Sequence, residues 1–227
     1  MRRIWNRLFV VVLLMGVVVP SVQAQPVRSP ELNVQFHRAE TAWRSGASML
    51  EAKARVDRVL RALPNDVEAL KLRARVLLSM DRSREALGDA RQAVRFQDSD
   101  AEAHLILCEA ARRSGDDELA ERALNKAAEL VTDDPILHVQ LSWNAVLLGK
   151  LDEAEAFARI AVAADPDNAA AHYQLARVFI LKQQTEDAAT ILEDGLRNAR
   201  LDVETIEADT ILVRVAEHPS LRNYLKE

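Results

Sequence analysis

Three histidines stand 34 residues apart, His104, His138 and His172, and a thiol, Cys108, lies four residues beyond the first of them. Neutral imidazole is a common metal ligand, so a repeated histidine raises the question of a zinc site. Zinc needs its donor nitrogens about 2.0–2.1 Å from one ion. Equivalent places on stacked helices are separated by roughly 8–10 Å, so the three rings do not converge. The same interval carried back reaches Leu70 and Phe36, which marks the place as one for packing. No metal ligand is assigned.

Cys108 and His104 fall one helical turn apart, but the local sequence offers no third group to orient a nucleophile pair. A small residue recurs at the place of Cys108, where a thiol acts as a small hydrophobe. Glycine-rich phosphate loops, nucleophile elbows and paired-cysteine zinc motifs are absent from the chain. The expectation is a protein with no catalytic residues and no cofactor.

The elements that hold these residues follow from the same interval. Cutting the chain at Asn33, Val67, Ala101, Pro135 and Ala169 gives five units, 33–66, 67–100, 101–134, 135–168 and 169–202. Place twenty is then Ala52, Ala86, Ala120, Ala154 and Ala188. Place eight is Glu40, Ala74, Cys108, Ser142 and Ala176, and place twenty-seven is Val59, Ala93, Ala127, Ala161 and Gly195. Glycines mark the turn in mid-unit, Gly46, Gly115 and Gly149, with Pro64 and Pro166 near unit ends. In the fourth unit Asp134 and Pro135 start a helix that Gly149 stops, and Asp152 is expected to cap a second one ending near Pro166. Each unit is two short antiparallel helices. One such pair cannot bury its apolar face alone, so neighbours must stack.

This pattern resembles the tetratricopeptide-repeat (TPR) family, whose 34-residue helix-turn-helix units carry small residues at places eight and twenty and proline at thirty-two. The resemblance implies an all-α, right-handed superhelical solenoid of antiparallel helix pairs and a function in binding proteins. The first unit departs from it: Glu40 stands where a small residue belongs, and Gly46 falls one place early. Residues 203–227 read as a cap, with Ile206 and Val213 at packing places and Asp209 where leucine is expected.

Places two, five, nine and twelve of the first helices form one stripe, which in TPR proteins lines the concave groove. The partner-binding residues expected from it are Lys71, Arg75, Arg112, Val139, Trp143, Tyr173 and Arg177, a charged end followed by an apolar, aromatic one. That polarity suits an amphipathic helix or extended segment of a partner protein, with Trp143 as anchor. The lysine-and-asparagine carboxylate clamp of chaperone-binding relatives is not reproduced, because Arg75 stands where its asparagine belongs.

Arg2, Arg3 and Arg7 precede an uncharged apolar run over residues 8–19 and a small-residue site ending at Ala24. This reads as a signal peptide over residues 1–24 followed by a linker over 25–32, with export to a bacterial periplasm. No cysteine stands at the cleavage site to take a lipid, so no stable membrane insertion is expected once the signal is removed. Its loss would take the formal net charge from −5 to −8. An acidic chain gives no electrostatic footprint for nucleic acid. The expected function is a non-catalytic scaffold for an envelope assembly. A self-assembling structural solenoid and a regulatory accessory subunit of an envelope enzyme or assembly complex are the alternatives.

Overall fold

The computed structural model describes residues 26–198, 201–215, 218–221 and 224. The signal peptide read in residues 1–24 lies outside them. Ten helices alternate in antiparallel pairs: α1 (Pro30–Arg44) with α2 (Met49–Ala62), α3 (Val67–Ser79) with α4 (Ser83–Phe96), α5 (Ala101–Arg113) with α6 (Asp117–Leu130), α7 (Pro135–Leu147) with α8 (Leu151–Ala164), and α9 (Ala169–Leu181) with α10 (Thr185–Asn198). A short helix α11 (Val203–Ala208) and two 3-10 turns, Leu212–Val215 and Pro219–Leu221, follow. Among the described residues there is no strand, and no helix is long and apolar enough to cross a membrane.

Each of the first helices α1, α3, α5, α7 and α9 begins where a short polar side chain takes up an orphan backbone N–H. Ser29, Asp66, Asp100, Asp134 and Asn168 all accept from two or three residues on. The expected cap of α8 is different. Lys150 precedes that helix without a capping bond, and Asp152 lies inside its first turn, where it binds Lys182 at 2.6 Å. An acid there still meets the positive helix end, so the helix starts without the specific cap.

The small places do what their size predicts. Ala52, Ala86, Ala120, Ala154 and Ala188 are buried, as are Ala74, Cys108, Ser142 and Ala176 opposite them. Ser142 donates to the Ala154 carbonyl at 2.8 Å, so the backbones of α7 and α8 are within a single side chain of one another. Gly195 is required for the same reason: a Cβ there would lie 3.0 Å from that of His172. Apolar side chains form three successive clusters instead of one central core, each spanning adjacent pairs. That is the quasi-one-dimensional packing of a solenoid.

The first pair shows how its departure from the pattern is absorbed. Ala39, not Glu40, is the buried small residue of α1, and four residues separate α1 from α2 where three separate α5 from α6. The first helix is thus slid by one place, and one extra turn residue restores the phase. Gly46, Gly115 and Gly149 all occupy the left-handed region at φ +68°, +81° and +74°. Asp81 and Gln183 hold it in the other two turns. Space around Gly149 is open, so Gly149→Ala meets backbone strain alone. It is expected to lower stability by about 1 kcal/mol in urea denaturation, with unchanged circular dichroism.

At the far end α11 stops after two turns. Ile206 is buried, whereas Val213 is exposed and its neighbours Leu212 and Val215 are buried in its place. The segment turns at Asp209, and Leu212, Val215 and Leu221 close over α9 and α10.

Candidate functional site

The histidine rings are buried and bonded to their own loops. His138 Nδ1 donates to the Asp134 carbonyl at 2.9 Å and His172 Nδ1 to that of Asn168 at 3.1 Å. His104 uses Nε2, which donates to the Asp98 carbonyl at 2.9 Å. Each ring tethers the start of a first helix to the loop before it. Among the described residues, no group of three or more His, Cys, Asp or Glu is placed to hold a metal ion. Cys108 is fully buried, and burial pushes its thiol up to about 12. A thiol so far from ionisation is a poor nucleophile.

The first helices touch one another along the series, α1 to α3, α3 to α5, α5 to α7 and α7 to α9, and together they wall a groove of about 790 Å³. Of the residues expected there, Arg75, Val139, Trp143 and Tyr173 line it. Trp143 is 40% exposed and Ile136, about two helical turns before it, is 61% exposed. Large apolar side chains this open on a groove wall make it the candidate interaction surface.

Three expected residues sit elsewhere. Lys71 is 4% exposed, and its ammonium is held by Glu68 at 2.8 Å, Asp100 at 2.8 Å and Glu102 at 2.7 Å. It is spent within the fold and has no charge left for a partner. Arg112 is half-buried with its Nε unpartnered, away from the groove lining. Arg177 lines a second pocket, of about 440 Å³, with Tyr173 and Asp209; its guanidinium carbon is 4.5 Å from the centre of the Trp143 ring and 5.6 Å from that of Tyr173.

Trp43, Arg44 and Arg113 also line the groove, although the stripe did not include them. Trp43 nominally holds place eleven, a packing place. The one-residue slip of α1 turns it to the role of place twelve, on the groove side. Its indole N–H donates to Ser79 Oγ at 3.2 Å, and Arg75 lies over its ring at 5.6 Å. The early Gly46 was the signal for this shift.

Two family models described as tetratricopeptide repeat match residues 71–135 and 145–207. Among solved structures, a thermophilic TPR protein of Thermus thermophilus superposes with a TM-score of 0.66 at 23% identity, covering 82% of this chain and 97% of that one. PilW, a type IV pilus biogenesis factor, gives a TM-score of 0.67 at 19% identity, covering 87% and 91%. MamA gives 0.54 at 20% identity, covering 74% and 92%. At these identities the likeness speaks for the fold alone. No curated protein matches the chain.

Proposed function

The chain belongs to the tetratricopeptide-repeat family, and we propose that it is a non-catalytic scaffold of the cell envelope whose groove holds a helical or extended segment of a partner protein. One observation carries this reading: Trp143 and Ile136, both large and apolar, stand 40% and 61% exposed on the groove wall, at places where the second, third and fifth units carry glutamate, arginine or alanine. Burying them against a partner removes apolar area from water, and a tryptophan contributes more of it than most residues. The signal-like N-terminus supports export, and the fold shared with a pilus biogenesis factor is compatible with an envelope role. Burial of Cys108 and the dispersed histidines support the absence of chemistry.

A photo-crosslinking residue at Val139 in intact cells tests this. It is expected to capture a partner that the same residue at Arg122, on the exposed side of α6, does not. Trp143→Ala should reduce that capture about tenfold or more, as hot-spot truncations do, with helicity unchanged. Equal capture from both positions counts against the groove.

A further inference from the structure

Asp209 stands where a repeat would carry leucine, and the groove does not explain it. The residue ends α11, and its carboxylate, 9% exposed, is divided between two tasks. Oδ1 accepts from the backbone of Ile211 at 2.6 Å and Leu212 at 3.1 Å, which sets the 3-10 turn of the cap. Oδ2 accepts from the Tyr173 hydroxyl and forms an ion pair with Arg177, whose Nε lies 3.2 Å away without the alignment of a hydrogen bond. Arg177 in turn lies over the Trp143 ring. A chain of contacts therefore runs from the cap, outside the five helix pairs, to the most exposed aromatic of the groove.

We propose that Asp209 is a positioning residue for the groove: by holding Arg177 and Tyr173 it fixes the Trp143 ring, so that seating of the C-terminal cap and presentation of the anchor are coupled. This rests on the groove as the binding surface. The geometry favours coupling over simple packing. The cap already buries Leu201, Ile206, Leu212, Val215 and Leu221 against α9 and α10, and His218 beside it reaches Glu186 of α10 at 2.9 Å. A carboxylate at this junction is not needed for that adhesion. It is needed to neutralise a guanidinium that is itself only 13% exposed and whose other neighbours are aromatic faces. Linkage makes the relation reciprocal, so a ligand that orders Trp143 also tightens the cap.

The test reads Trp143 directly and uses no partner. In the full chain carrying Trp5→Phe and Trp43→Phe, Trp143 is the single indole. Asp209→Ala is expected to raise acrylamide quenching of its fluorescence about twofold and shift the emission to the red, with the far-ultraviolet circular dichroism retained, and the double variant with Arg177→Gln to go no further than Arg177→Gln alone, as required of residues acting in series. Asp209→Asn keeps an acceptor for the cap turn and loses the charge, so it guards against a variant whose cap unfolds. Unchanged quenching in both Asp209 variants, or effects of Asp209 and Arg177 that add, overturns the proposal. Failure of crosslinking at Val139 would sink the groove reading and leave this result standing.

Discussion

Phe179→Ala is expected to cost about 3–5 kcal/mol, the range for truncating a fully buried aromatic. Phe179 is 2% exposed and is among the largest fully buried side chains, packed with Leu175, Ala188 and Leu192 between α9 and α10. The chain around it is already close-packed by alanines at the helix contacts, so little can move into the space. The loss should also be uneven. Because each pair touches only its neighbours, the fifth pair and the cap should open while the first three pairs remain folded. Hydrogen exchange in mild urea is the measurement. Amides of α9 and α10 should lose protection ahead of those of α3 to α6. A single, uniform loss across the chain would show tighter coupling between pairs than the three separate apolar clusters imply.

Lys71→Met is expected to cost about 2–3 kcal/mol, less than the roughly 3–5 of a fully enclosed pair because Glu68 and Glu102 reach solvent. Methionine replaces the stem and leaves the Asp100 and Glu102 carboxylates beside each other without their shared cation. The pH dependence has a definite sign. Burial raises the Glu102 carboxyl, but Arg75 and Lys71 outweigh it and hold it below its ordinary value of 4.5. A depressed carboxyl contributes stability that is complete above 4.5 and is lost as pH falls through the lower folded-state value. Burial lowers the Lys71 ammonium, yet its bonds to Asp100, Glu102 and Glu68 raise it above its ordinary 10.5, so its contribution is complete below that and is lost only at still higher pH. The deficit of Lys71→Met should therefore be full from about pH 5 to 10 and shrink in acid as the Glu102 carboxylate protonates. Urea midpoints at pH 7 and pH 3 give the comparison. A deficit equal at both would mean that the lysine stem, not its charge, carries the effect.

Much of this architecture is legible in the order of small residues. Alanine at place twenty of every unit has one economical explanation, two backbones in close approach, and helix pairs follow from it together with the turn glycines and the polar residue before each first helix. Spacing also disposes of the histidine ladder, since equal places on stacked helices cannot share one ion. The slip of α1 was visible as a displaced Gly46 and a glutamate out of place. Its consequence, Trp43 turned into the groove, requires knowing that the extra residue sits in the turn and not in the helix.

The groove lining was less accessible, and Lys71, Arg177 and Asp209 show why. On a single helix Lys71 shares a stripe with Arg75, so periodicity assigns both to the groove. Only stacking brings Asp100 and Glu102 of the next pair against its ammonium, and a cation that three carboxylates can reach goes to them. Arg177 lies on the same stripe but pairs with Asp209, 32 residues later in a cap that no longer follows the repeat. Local order is governed by contacts within a few residues and is written in the chain at intervals of three, four and 34. Which charges are spent and which aromatic stays open is decided by pairs from different units, whose distances are set only when the helices have stacked.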